Sequence, residues 1–347
     1  MDSISDVESE LHVKAGERIF ARTNVWPHLQ ELYAGYISRP SQTVWSREGW
    51  QSAYTVVAYF AGHYDVARKE LEDLQWQPHA WNLAGWGKDL SLLPQEVAAK
   101  SGPLAKQVLQ ADDLRQTGDR SGAQKIYGDL LARTDLDART RDYLNDRHYT
   151  LDIEQRLLDG EWIRFLPSDT NFTGWHVISG NCSVLSDGSL EVRSDRYGHM
   201  LFSRAWMRRA FEVRGQFEVI SNTAHAFQAG LLVGVPQPET SSWFSFCMKR
   251  NPVEGDVASF SQEFDNPQIS TPITLHERTN TFDVVIQNSQ ISATVNGQEV
   301  FKNVERKYNA VPYFAEIYFG FGAYNDANST VIRYKDVELR VWPGESK

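Results

Sequence analysis

Apolar and polar positions change their period once along this chain. From Leu29 to Leu158 they recur at helical spacing. Leu29, Leu32, Tyr33 and Tyr36 form a first stripe, which Pro40 and Ser41 interrupt. Ser46 then reads as an N-cap, with Glu48 in the first turn, for a helix carrying Trp50, Ala53, Tyr54, Val57, Ala58 and Ala61. That helix stops at Gly62, and Tyr64, Ala67, Leu71 and Leu74 begin another. The layout recurs in ADDLRQTGDRSGAQKIYGDLLAR, with a Gly118-Asp119 corner followed by Ala123, Tyr127 and Leu130. A small residue one turn past the corner lets two helices approach, and a large one four positions on fills the groove. A last helix is expected from Asp137 to Leu158, with Gly160 as its C′ residue.

Beyond Gly160 the period becomes two. The segment TFDVVIQNSQISATVNGQEVFKNV, Thr281 to Val304, alternates Phe282, Val284, Ile286 and then Ile291, Ala293, Val295 with polar partners. Asn296-Gly297 between the last two runs suits a type I′ turn, because both residues tolerate positive φ. Val300 and Val304 resume the apolar pattern. Ten or more such runs, with turn signals about every ten residues, predict an antiparallel sandwich of the jelly-roll kind. The expected fold is therefore multidomain α + β: an α-helical domain over 1–160 and an antiparallel β-sandwich over 161–347.

Between the two helical hairpins lies QWQPHAWNLAGWGKDLSLLPQEVAAKSG, which reads as a loop. Its Trp76, Trp81 and Trp86 either plug the hairpin groove or form an aromatic platform for a sugar or peptide.

Composition narrows the function classes. The 347 residues carry a formal charge of −10, which argues against nucleic acid as partner. The cluster Arg204, Arg208, Arg209 and Arg214 is a local exception, read as a solvated strand edge or an anion site. Cys182 and Cys247 allow one disulfide or two buried thiols. Neither a signal peptide nor a membrane span is legible, so localisation stays unknown, and the chain is compatible with a piece of a longer protein.

The order of EWIRFLPSDTNFTGW, DGSLEVRS, FEVRGQFEV, AGLLVGV, FDVVIQNSQISATVNGQEVF, IYFGFGAYND and VIRYKDVELR resembles the concanavalin A-like, laminin-G-like sandwich. It is most similar to the 3-keto-disaccharide hydrolase domain branch. The two helical hairpins resemble tetratricopeptide repeats, and the combination is similar to large bacterial proteins of planctomycetes. The resemblance implies a sugar-directed sandwich, with an acidic residue and often a metal in its enzymes. Here the strand Trp243 to Arg250 carries no Asp or Glu.

Candidate chemistry follows from these pieces. Glycoside hydrolysis needs two facing carboxylates. Glu263 and Asp265, two apart on one strand and about 6–7 Å between Cα atoms, are the candidate acid/base pair of a glycoside hydrolase or lyase. Asp265, Asn266 and Asp326 are candidate oxygen ligands for Ca2+; otherwise no cofactor is expected. Trp243, Arg250, His225, Tyr324, Asn325 and Asp326 form the candidate ligand-binding patch, in which an aromatic face stacks on a pyranose and the polar groups hold hydroxyls. The leading expectation is non-catalytic recognition of an oligosaccharide by the sandwich, with a protein or peptide docked on the helical domain. A structural or assembly role is the further alternative.

Overall fold

The computed structural model describes residues 20, 24–39, 43–79, 90–179, 181–194, 199–203, 210–222, 226–234, 243–251, 253, 255–261, 267–287, 290–305, 318–324 and 330–341. The chain divides into two compact units, Met1–Asn145 and Asp146–Lys347.

The first unit is helical. Its elements are α1 (Trp26–Ile37), α2 (Val44–Phe60), α3 (Tyr64–Asp73), α4 (Leu93–Ser101), α5 (Ala105–Thr117), α6 (Arg120–Leu131) and the start of α7 (Ala138–Leu158). Both expected hairpins are present, α2–α3 and α5–α6. Gly62 and Gly118 turn their corners at φ of 78° and 95°. Ala67, Ala123, Leu71 and Tyr127 are all fully buried, as the steric argument requires. Asp119 caps α6 by accepting from the Gly122 N–H at 2.9 Å. Asp137 accepts from the Thr140 N–H, also at 2.9 Å, and bonds its hydroxyl.

Two local expectations fail here. The α2 helix starts at Val44, so Ser46 lies inside it and is not the N-cap. The segment read as a loop contains α4, started by Pro94 in its first turn; the tryptophans upstream hid its short stripe Leu93, Val97, Ala98. Trp76 is half-buried with the Arg139 guanidinium 4.6 Å from its ring centroid, while Trp81 and Trp86 fall outside the described residues.

Inside this unit Lys100 of α4 is nearly closed off from water. Its ammonium lies 2.9 Å from Asp112 and 3.6 Å from Glu96. The hydroxyls of Tyr127 and Tyr143 also bond Asp112, and that of Tyr59 bonds Glu96. Burial alone would lower the Lys100 ammonium, but Glu96, Tyr143, Tyr59 and Asp112 outweigh it and hold it well above the usual lysine range.

The second unit takes the last turns of α7 and β1 (Ile163–Arg164), β2 (Trp175–Ser179), β3 (Asn181–Val184), β4 (Leu190–Ser194), β5 (His199–Ser203), β6 (Phe211–Asn222), β7 (Phe227–Gly234), β8 (Trp243–Asn251), β9 (Gly255–Ser261), β10 (Pro267–Pro272), β11 (Thr279–Gln287), β12 (Gln290–Val295), β13 (Gln298–Glu305), β14 (Tyr318–Tyr324) and β15 (Thr330–Val341). One sheet has eight strands in the order β13-β12-β11-β6-β15-β4-β3, with β1 also on β15. The other has seven, β10-β9-β8-β7-β14-β5-β2. Every pairing is antiparallel, so the architecture is a β-sandwich. Its core takes the inward residues of both sheets, with Ile153 and Leu157 of α7 packed against them.

Asn296-Gly297 makes the expected turn, at φ of 51° and 76°. Its amide is tied further: Asn296 Nδ2 donates to Thr274 O and Asn280 Oδ1, and its Oδ1 accepts from the Thr281 N–H. On β13 the pattern is broken by bulges, so Val300 and its neighbour Phe301 are both buried while Val304 is half-buried. Both cysteines are free thiols; burial pushes Cys182 up to about 12.

Tyr334 of β15 crosses the core. Its hydroxyl donates to Gly322 O at 2.7 Å and accepts from the Gly230 N–H at 3.0 Å, both on the opposite sheet.

Two stability predictions follow from these buried groups. Tyr334→Phe orphans a backbone donor and acceptor and should cost about 1–3 kcal/mol in denaturant unfolding of the full chain. Lys100→Met removes the ammonium that the buried Glu96 and Asp112 share and should cost about 3–5 kcal/mol. An unchanged midpoint in either variant would show that the group is not a support of its unit.

Candidate functional site

The residues selected from the sequence separate into three groups. Glu263, Asp265, Asn266, His225, Asn325 and Asp326 lie outside the described residues. Trp243 and Tyr324 are placed by backbone alone, in register with Gly234 and Gln228 of β7. Arg250 is seven positions from Trp243 on β8, roughly 23 Å at strand rise, so the two do not meet in one small site.

Arg250 has a defined task. Its guanidinium makes a two-pronged pair with Asp256, at 2.8 and 3.1 Å. It also bonds Glu277 at 3.1 Å and Leu275 O at 2.8 Å. Asp256 in turn accepts from the Leu275 N–H at 3.0 Å. This arrangement clips the β8–β9 hairpin to the strand-free segment before β11.

A different place on the same unit has the form of a site. The outward positions of β6, β11, β12 and β15 line up in one row, Thr294–Asp283–Arg214–Glu338, set by the ladder registers. The next row pairs Thr281 with Gln216 and Lys335. Over these rows lies a shallow depression of about 400 Å³, lined by Arg214, Gly215, Gln216, Thr281, Asp283 and Asp336, among others. Beneath it the inner face is tightly packed: at Gly215 an added Cβ would point to the core and lie 2.9 Å from Val337 and 3.0 Å from Phe282. Opposite it β15 bulges between Lys335 and Glu338, with Asp336 at φ 48°.

Beside the depression Trp162 is half-buried under two guanidiniums. Arg214 lies 4.0 Å and Arg340 4.5 Å from the indole centroid. Both are held by carboxylates: Arg214 bonds Glu338 at 2.7 and 2.9 Å, and Arg340 bonds Glu212 at 2.6 and 2.8 Å. Arg214 therefore sits on a central strand, not on the solvated edge its sequence context suggested.

Asp283 differs from its neighbours. Its Oδ1 is buried and accepts no hydrogen bond. Burial pushes this carboxyl up, Glu212 adds to the rise, and Arg214 and Arg340 oppose it. Among the described residues no group of three or more His, Cys, Asp or Glu could hold a metal ion.

The depression was missed from the sequence, although half of its signal is there. Thr281, Asp283 and Thr294 are the polar partners in the alternation of the hairpin strands. Which strand would lie beside them, and that β15 would bulge opposite Gly215, is set by non-local pairing alone.

No protein-family model matches the chain, and none of the curated proteins matches its sequence. Solved structures with a similar arrangement are found for the second half. One is the carbohydrate recognition domain of Emp47p, at 14% identity and TM-score 0.38, covering 51% of this chain and 94% of that one. Another is the carbohydrate binding module CBM66 from Bacillus subtilis, at 13% identity and TM-score 0.36, covering 48% of this chain and 95% of the other. A third is GH43B of the Bacteroides ovatus xyloglucan locus, at 13% identity and TM-score 0.40, covering 52% of this chain and 39% of that one.

The Arg250 clip generates a pH prediction. Burial alone would raise the Asp256 carboxyl, but the Arg250 and Leu275 bonds outweigh it and leave it below the ordinary range. Stability from a depressed carboxylate is present above its unfolded pKa and lost as pH falls through the folded one. Arg250→Met should therefore unfold more easily than the parent at pH 7, and the gap should narrow as pH falls below the ordinary aspartate range of about 3.9. A gap that does not narrow at all on acidification would assign the loss to packing instead.

Proposed function

We propose that the sandwich unit is a non-catalytic carbohydrate-recognition module, with the sugar seated in the depression over β6 and β11. The carrying observation is the polar lining of the depression, where Thr281, Thr294, Gln216 and Asp283 stand together. A polyol is a dense source of hydroxyl groups, and hydroxyl and amide side chains can both give and take hydrogen bonds with it. The volume of about 400 Å³ falls within the range of about 300–1,000 Å³ usual for small-ligand sites. Trp162 lies beside the depression, with part of its ring under Arg214 and Arg340.

In this reading the helical hairpins, tetratricopeptide-like in their corner glycines and packed alanines, serve as the protein-facing half. A second reading, hydrolysis of a modified disaccharide such as a 3-keto sugar, draws on one feature. Asp283 and Asp336 both line the depression, and glycoside hydrolysis uses two carboxylates.

The test is a thermal-shift and calorimetric screen of the full chain against neutral, amino and acidic oligosaccharides, with product analysis of each hit. A ligand of the native state raises the melting point. A sugar that stabilises the protein, stays intact, and binds about tenfold more weakly to Thr281→Val and Gln216→Ala supports recognition at this place. A sugar that is consumed favours the hydrolase. No stabilising sugar in any class would overturn both.

A further inference from the structure

Asn296 and Gly297 form the two-residue loop between β12 and β13, with Val295 and Gln298 paired on either side. Asn-Gly and Asp-Gly both suit such a loop, because both tolerate its positive φ. The surroundings of the side chain separate the two. Asn280, fully buried on β11, exchanges hydrogen bonds with the backbone of His276. Its Oδ1 accepts from the His276 N–H at 2.7 Å, and its Nδ2 donates to the His276 carbonyl at 3.2 Å. That exchange fixes which way the Asn280 amide points. The atom of Asn296 that meets Asn280 Oδ1 at 2.8 Å therefore has to be a donor. Thr274 O, at 3.0 Å, also calls for a donor, and the Thr281 N–H, at 2.9 Å, calls for an acceptor. An amide answers all three. A carboxylate would turn its second oxygen toward two acceptors and leave both unanswered.

The same dipeptide carries a reaction of its own. The glycine nitrogen of an Asn-Gly pair can attack the asparagine Cγ. The N–Cγ bond forms, the Cγ–Nδ2 bond breaks, and a five-membered succinimide remains. The glycine N–H proton is lost, and Nδ2 takes one up and departs as ammonia. Water then opens the ring at one of its two carbonyls. The product is aspartate or, with one more carbon in the main chain, isoaspartate. Glycine favours the attack because it has no Cβ to crowd its nitrogen, and at Gly297 nothing lies within 4 Å of the place a Cβ would take.

We propose that Asn296 is a latent deamidation site, closed in the folded chain by Asn280, Thr274 and Thr281, and reactive when the β12–β13 turn opens. Cyclisation brings Cγ onto the Gly297 nitrogen, and that rotation breaks the side-chain bonds to all three partners. The change is one-way. Aspartate at this position repels Thr274 O and Asn280 Oδ1, and isoaspartate lengthens a loop whose size sets the β12–β13 register. Either product releases the turn from the 274–280 segment that leads into β11. The reaction needs no ligand and stands apart from the sugar reading.

The experiment is peptide mapping by mass spectrometry of the full chain held in mildly alkaline buffer, natively and in urea, with Asn280→Ala alongside. Asn296 should convert at least about tenfold more slowly in the native chain than in urea, because the native rate follows the open fraction of the turn. Asn280→Ala should convert faster than the parent in native buffer. Asn296→Asp, the product made directly, should unfold at a lower denaturant concentration than the parent.

Equal conversion in native buffer and in urea would show that the fold does not hold the site closed, and would overturn the proposal. An unmodified Asn296 in urea would overturn it as well, and so would an Asn296→Asp chain as stable as the parent. A folded Asn280→Ala chain that converts at the parent's rate would remove Asn280 from the latch and overturn that assignment. Should Asn280→Ala fail to fold, the urea comparison and Asn296→Asp decide.

Discussion

The hydroxyl of Tyr334 is the interaction on which the sandwich most depends. Two stacked sheets meet through side chains, and apolar contact alone leaves some freedom to slide. Tyr334 adds direction. It starts on β15, crosses the core against Phe321, and ends on the backbone of β7 and β14, where Gly230 and Gly322 are direct ladder partners. Both partners lack a Cβ. The same strand is the hub of the eight-stranded sheet, pairing with β6, β4 and β1. Fixing β15 against the opposite sheet therefore fixes the strands that carry the depression.

With the inner face so committed, period-two alternation delivers every second residue of β6, β11 and β15 to the outside. There the sheet builds cross-strand Arg–Glu pairs in adjacent rows. The most exposed of them, Arg214–Glu338, contributes little, on the order of 0–1 kcal/mol. The arrangement of these pairs follows from ladder register: Arg214 and Arg340 bond Glu338 and Glu212, and Asp283 lies beside Arg214 with its buried Oδ1 accepting no hydrogen bond, next to the β15 bulge.

The helical unit follows a different logic. Its hairpins close on small residues, and between them Lys100 satisfies two buried carboxylates with tyrosine hydroxyls completing the shell. Such a network is costly to leave half-made, so it specifies one arrangement of α4, α5 and α7 over others of similar apolar contact. Nothing in the local periodicity of these helices announces it, since Glu96, Lys100 and Asp112 read as ordinary surface residues.

What the sequence by itself determined are the features set by short-range rules. Period 3.6 before Gly160 and period two after it gave helices and then strands. Gly62, Gly118 and Asn296-Gly297 gave turns, because few residues accept positive φ. The missed α4 and the misplaced N-cap were also local, lost where tryptophans at irregular spacing and a short apolar stripe blurred the period. Tertiary structure decided what depends on partners far apart in the chain. It set Arg214 on a central strand against Glu338, 124 residues away, and Arg250 against Asp256 as a brace. It also brought Asp336 to the same depression as Asp283. Ladder register and bulges assign those neighbours, and register is settled only when whole strands pair and the inner face is buried.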